Sequence, residues 1–220
     1  MENILAPSIL AADVMRLGEQ IRQVQDAGAK YLHIDVMDGV FVPSLSYGVC
    51  VVESIRKSSD MVLDVHLMIV NPERYVEAFA KAGADIITVH LEACSDLKKT
   101  FRMIHSLGCR AGLSIKPDTP VKAVEAYLDQ IDLLLIMSVE PGFGGQKYFP
   151  ESTSRIREAA ALISQKGVQL DLEVDGGITT ENVRRVLEAG ANVIVAGSAI
   201  FHNPSENAAA FMEILKEEQK

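Results

Sequence analysis

The 220-residue chain carries 21 Lys and Arg against 30 Asp and Glu, a formal net charge of −9, with 48% apolar and 23% charged residues. Such a composition is that of a globular domain and excludes a disordered tail, a collagenous repeat and a disulfide scaffold. No apolar run approaches the roughly 20 residues that cross a bilayer, and the acidic balance argues against nucleic acid as the main partner.

In chain order, the opening Met1-Glu2-Asn3-Ile4-Leu5 lacks the positive charge of a signal peptide. Short apolar runs, many of them β-branched, predict strands at 4–9, 31–36, 62–67, 86–90, 111–115, 133–137, 170–174 and 193–196. Ala27-Gly28-Ala29, Ala82-Gly83-Ala84 and Ala189-Gly190-Ala191 each stand just before a strand and read as a helix end with glycine past the last turn. Their spacing equals two and four copies of a unit of about 27 residues, the size of one strand, one helix and two loops. Gly108 and Gly167 mark two more helix ends. Asn71-Pro72, Thr119-Pro120 and Asn203-Pro204 read as helix starts, with proline in the first turn and a side-chain cap at the asparagines. About eight such units fill residues 1–220 as one domain, so the expected fold is an α/β (β/α)8 TIM barrel. An open doubly wound sheet is the alternative, but no GxGxxG follows the first strand.

A parallel barrel places its chemistry where strands end. His33 and Asp35 are two apart on one strand and so share a face, as do His66 and Met68 on the next. If that face is interior, His33, Asp35, His66 and Asp175 form a nitrogen and oxygen site suited to zinc, iron(II), manganese or cobalt. The bland alternative for a strand histidine is a satisfied core residue. Asp35 and Asp175, from strands two and seven, would also flank a substrate and pass a proton from one face of a carbon to the other. The glycine-rich Pro141-Gly142-Phe143-Gly144-Gly145-Gln146, Gly176-Gly177 and Gly197-Ser198 offer backbone N–H groups to a phosphate. Met37, Met68 and Met137 end three strands, as core filler or as a soft lining against a planar anion. Cys50, Cys94 and Cys109 form no CxxC pair and fit reduced thiols of the cytoplasm. Cys94, Cys109 and His105 read as structural or exposed, His202 as outside the chemistry, and Lys116 as a solvated loop residue rather than a Schiff base.

These motifs, taken together and in order, resemble the ribulose-phosphate 3-epimerase family. They are Ala6-Pro7-Ser8-Ile9-Leu10-Ala11-Ala12-Asp13, His33-Ile34-Asp35-Val36-Met37-Asp38-Gly39, Asp64-Val65-His66-Leu67-Met68, Met137-Ser138-Val139-Glu140-Pro141-Gly142-Phe143-Gly144-Gly145-Gln146, Glu173-Val174-Asp175-Gly176-Gly177 and Ala196-Gly197-Ser198. The resemblance spans essentially the whole chain. It implies reversible inversion of C3 between D-ribulose 5-phosphate and D-xylulose 5-phosphate, in the pentose phosphate pathway. It implies one divalent metal per subunit, zinc foremost, on His33, Asp35, His66 and Asp175, stabilising a cis-enediolate while Asp35 and Asp175 serve as the acid/base pair. Ser8, His66 and Asp175 would contact the sugar. Gly142, Phe143, Gly144, Gly145, Gly176, Gly177, Gly197 and Ser198 would surround the phosphate, and Met37, Met68 and Met137 would line the enediolate. The family also implies a cytoplasmic homo-oligomer, a dimer or hexamer, with no nucleic acid or membrane partner. The rival substrate is a six-carbon ketose phosphate such as D-allulose 6-phosphate. A decarboxylase or aldolase would need a strand-end lysine beside the reacting carbon, and only Lys116 qualifies. A non-catalytic phosphosugar-binding barrel would be expected to lack one of the four acid/base and metal residues, and all four are present.

Overall fold

The apolar runs become eight parallel strands in a computed structural model that describes residues 1–219. They are β1 (Ile4–Pro7), β2 (Tyr31–Met37), β3 (Val62–Met68), β4 (Ile86–His90), β5 (Arg110–Ile115), β6 (Leu133–Met137), β7 (Asp171–Asp175) and β8 (Val193–Ala196). From β2 to β8 each strand pairs with the next in sequence, and β1 pairs with β8. A parallel bridge from Ser8 to His33 brings β1 and β2 together, so the sheet curls into the expected barrel. β1 stops at Pro7 because Ile9–Ala11 turns into a 3-10 helix whose N-cap is the Ser8 hydroxyl.

Around the strands run α1 (Leu17–Asp26), α2 (Val49–Arg56), α3 (Val76–Ala82), α4 (Leu97–Ser106), α5 (Ser152–Lys166), α6 (Val183–Glu188), the short α7 (Ser198–Phe201) and α8 (Pro204–Glu217). α4 shows why. Leu97, Phe101 and Ile104 recur at helical spacing and are buried against the barrel. Asp96 accepts from the Lys99 N–H to cap the first turn. The Ala-Gly-Ala ends form one turn three times. Gly28, Gly83 and Gly190 have φ near +100° (103°, 104° and 112°). The next N–H reaches back to Val24, Phe79 and Val186, which satisfies a terminal carbonyl and starts the following strand.

Two expectations need correction. Thr119-Pro120 opens no α-helix: Val121–Val124 is a 3-10 helix followed by turns. Val121 and Val124 are both buried at a spacing of three, which suits three residues per turn. Pro72 and Pro204 do occupy first-turn positions, but neither asparagine caps with its side chain. Asn71 adopts a left-handed conformation (φ 49°), and the Asn203 amide donates to the Glu206 carboxylate instead.

Alternate strand residues fill the barrel. The floor is Tyr31 and Arg110, joined by a 2.7 Å hydrogen bond, with Arg110 also paired to Asp171. Above it the β2–β3 register sets His33 beside Asp64, Asp35 beside His66, and Met37 beside Met68. Gly112 on β5 leaves the room that Thr88 takes, since a Cβ there would lie 2.1 Å from the Thr88 hydroxyl. Gly112→Ala is therefore expected to destabilise the protein by about 1–3 kcal/mol through overpacking. Adding Thr88→Ala should recover part of that loss; strictly additive effects in urea unfolding would refute the clash.

Candidate active site

The second and third rungs from the top of β2 and β3 hold the charged groups. His33, Asp64 and His66 are fully buried, and Asp35 nearly so. Asp35 Oδ2 accepts from Ser8 Oγ at 2.6 Å. Asp35 Oδ1 lies 3.0 Å from His66 Nδ1 and 3.3 Å from His33 Nε2. Burial opposes charge on Asp35, but the charge of the neighbouring His33 and the hydrogen bond with His66 outweigh it and hold the carboxyl well below the usual range. Burial likewise opposes charge on His33, yet Asp35 and Asp64 raise its pKa well above an ordinary imidazole in the metal-free protein.

Asp175, at the end of β7, sits beside the same cluster. Burial, and then the charge of Asp35, push its pKa up to about 7. Two carboxyls in one site are thus driven apart, one toward the anion and one toward the acid. The turn after Asp175 is fixed from behind. Ser138 Oγ donates to the Asp175 and Gly176 carbonyls at 2.8 and 2.7 Å. A Cβ on Gly177 (φ 67°) would fall 2.2 Å from the Tyr148 backbone nitrogen.

His33, Asp35, His66 and Asp175 each bring one ligand atom within 4.8 Å of the others. His33 Nδ1 faces Asp64 Oδ2 at 2.6 Å, so its hydrogen points there. Nε2, the other ring nitrogen, is buried with no hydrogen-bond partner among the described residues, and a cation there would take the place of the proton that the raised pKa puts on it. An orphaned imidazole nitrogen aimed at two carboxylates and a second imidazole fits a divalent cation of the zinc, iron(II), manganese or cobalt class.

A cavity of about 560 Å³ opens above this cluster. Asp35, Asp175, Ser8 and the three methionines Met37, Met68 and Met137 form its floor and inner wall. Gly142, Phe143, Gly144, Gly145, Gly176, Gly177, Gly197 and Ser198 line it too, joined by Lys147 and Arg185. His33 and His66 lie beneath the wall rather than on it. Gly142 packs against Val42 and Pro43, so the loop after β6 touches the loop after β2. Asp38 pins that second loop by accepting from the N–H groups of Val40, Phe41 and Val70.

Several residues gain roles that the linear pattern does not assign. Asp64 orients His33. Glu173, buried and 3.6 Å from His33 Nδ1, has its pKa raised well above the carboxylate range by burial and then by Asp64. Ser138 braces the Asp175 turn. His90 meets His66 nitrogen to nitrogen at 2.8 Å and faces Glu92 at 3.3 Å. Burial lowers the His90 pKa to about 4; burial opposes charge on Glu92, but His90, Thr119 and Lys116 hydrogen bonds bring it to about 2. Period-two spacing from His66 and Asp175 was the available signal for Asp64 and Glu173. Lys116 makes no catalytic contact; its ammonium lies 4.3 Å over the Phe41 ring and 3.6 Å from Glu140. Cys50, Cys94 and Cys109 are free thiols. Among the described residues no helix is long and apolar enough to cross a membrane.

A model of the Ribulose-phosphate 3 epimerase family matches residues 4–201. The chain is 52% identical over 204 residues to a ribulose-phosphate 3-epimerase of Synechocystis, covering 92% of this chain and 89% of that protein. The Bacillus subtilis protein of the same name is 48% identical over 96% of this chain and 97% of its own. The crystal structure of KGPDC from Streptococcus mutans superposes with a TM-score of 0.73 at 16% identity, over 100% of this chain and 100% of that one. At that identity it attests the barrel alone.

The raised Asp175 pKa has a measurable sign. In metal-free protein the folded state holds a proton that the unfolded chain releases near 3.8, so stability declines as pH rises from about 4 to about 7. Asp175→Asn should flatten that slope in urea unfolding, as should saturating zinc. An unchanged slope in the variant would contradict the assignment.

Proposed function

The chain belongs to the ribulose-phosphate 3-epimerase family, and from that premise we propose that its barrel mouth inverts C3 of D-ribulose 5-phosphate by passing a proton between Asp35 and Asp175. The product is D-xylulose 5-phosphate, and the reaction is reversible. The observation that carries the mechanism is geometric: the Asp35 and Asp175 carboxyls, from β2 and β7, converge within 4.8 Å in one cluster and both line the same cavity.

In one direction Asp35 removes the C3 proton, and the electron pair passes into a cis-enediolate. Asp175 then delivers its proton to the opposite face of C3. The pair ends with the proton on the other carboxyl, which is the starting state for the reverse reaction. Ser8, whose hydroxyl donates to Asp35, keeps the base oriented in the ionised form. Asp64 orients His33, and the buried methionines Met37, Met68 and Met137 keep water from the planar intermediate. His33, Asp35, His66 and Asp175 would hold one divalent metal, zinc foremost. Bound there, it would supply positive charge that lowers the cost of the enediolate. The glycine N–H groups after β6, β7 and β8, with Ser198, would receive the phosphate, and Arg185 and Lys147 add positive charge to the same cavity. Free thiols and the family fit a cytoplasmic enzyme that assembles from copies of itself.

Proton NMR in D2O tests the reading. D-Ribulose 5-phosphate with zinc-loaded protein should lose its C3 proton signal as deuterated D-xylulose 5-phosphate grows. No exchange with correctly folded, metal-loaded protein would refute it, and turnover of D-allulose 6-phosphate instead would move the substrate to six carbons. Asp35→Asn and Asp175→Asn should each lower kcat by about 10²–10⁴-fold with the fold intact; near-normal turnover in either would defeat the two-carboxyl mechanism. Chelation should abolish activity and zinc, manganese or cobalt restore it; full activity in demonstrably metal-free protein would remove the metal from the account.

A further inference from the structure

We infer that Lys116 is a positioning residue for the substrate phosphate: its ammonium fastens the glycine loop after β6 to the apolar wall of the cavity. The inference rests on the reading that this loop receives the phosphate.

Lys116 stands where three loops meet. Its own segment, just past β5, is held on both sides. The Lys116 N–H donates to Glu92 Oε1 at 2.9 Å. The Lys116 carbonyl accepts from Arg155 Nη2, and the Thr119 carbonyl from Arg155 Nη1, each at 2.9 Å. From this fixed backbone the side chain reaches two other loops. Its ammonium lies 4.3 Å from the centre of the Phe41 ring, within cation–π range. Phe41 belongs to the loop after β2 and packs against Met37, Val42 and Met68. The same ammonium is 3.6 Å from the Glu140 carboxylate, on the loop after β6.

Gln146 turns a hold on Glu140 into a hold on the glycines. Its side-chain amide donates to the Glu140 carbonyl at 2.6 Å and to the Phe143 carbonyl at 3.0 Å, which ties residues 140–146 into one closed turn. Gly142, Gly144 and Gly145 lie inside that turn and line the cavity. Among the described residues the N–H groups of residues 142–145 have no protein acceptor. They are free to meet an anion, but no backbone ladder fixes their direction, so side-chain fastenings must. Gly142 rests on Val42 and Pro43, and Lys116 supplies the second tie to the same wall. The Glu140 side chain is 55% exposed, so the pair adds little to the stability of the barrel. Its effect falls on the loop.

Proteolysis and kinetics together test the latch. In substrate-free protein, chymotrypsin should cleave after the exposed Phe143 about fivefold faster in Lys116→Met, with the urea midpoint unchanged, because cleavage follows the population of the released loop. The KM for D-ribulose 5-phosphate should rise about three- to tenfold in that variant, with kcat within about twofold. Glu140→Gln should speed cleavage less, and the double variant should match Lys116→Met alone, because both substitutions break one contact. Lys116→Arg, which keeps the charge and the ring contact, should behave as the wild type. Unchanged cleavage in Lys116→Met would overturn the inference, and a raised KM without faster cleavage would leave Lys116 a plain source of positive charge. Multiplicative cleavage factors in the double variant would place the two residues in separate contacts and overturn it as well. Faster cleavage with an unchanged KM would reject the phosphate role of the loop, on which the inference rests. Cleavage needs no turnover, so the latch is decided separately from the epimerase reading.

Discussion

The Asp35 carboxylate stands where the barrel is least secured by backbone. β1 and β2 share the single Ser8–His33 bridge, whereas β2 and β3 are paired over seven residues. Ser8 Oγ crosses that seam to Asp35, and Asp35 in turn faces both imidazoles. The group expected to take the proton therefore also joins the ring. Its ionisation and the closure of the barrel support each other, because the Ser8 donor and the imidazole partners are held in place only when the ring is complete. Burial alone would drive this carboxyl toward the acid, and the partners reverse the sign.

Asp175 has a different environment. Among the described residues no histidine donates to it, and its support comes through the backbone, from Ser138 gripping its carbonyl and that of Gly176. The side chain is left to feel burial and the charge of Asp35, and its pKa rises. The difference between two chemically identical side chains thus comes from where the hydrogen bonds are made. A cation among the four ligands would compensate the charge that burial otherwise disfavours on Asp175.

Much of this was legible in the chain itself. The strands declared themselves by β-branched runs with glycine ends, and the rungs of β2 and β3 by residues two apart. Asp35, Asp175, His33 and His66 follow from that period once the barrel is assumed. The polar shell behind them was harder to assign, because Glu173 reaches His33 from across the barrel and His90 reaches His66 from the neighbouring strand. Such contacts depend on register and radius, which no local pattern encodes. Thr119-Pro120 misled for the opposite reason: the start signal is correct, but the segment after it buries residues three apart and never settles into an α-helix. At Asn71 and Asn203 the proline rule applied, while a left-handed backbone at one and a side-chain partner at the other displaced the expected cap.

The uneven seam also bears on how the chain is made. β1 finds its continuous ladder on β8, with Ile4 opposite Val193, and the ends are further clasped where Asn192 donates to the Glu2 carbonyl and Asn3 to that of Leu215. During synthesis the first strand therefore waits for almost the entire polypeptide before its partner emerges. Ring closure is a late step with long sequence separation, the sort of contact that slows folding. A strand of only four residues, Ile4–Pro7, ending in a proline, offers little edge for a wrong partner in the meantime.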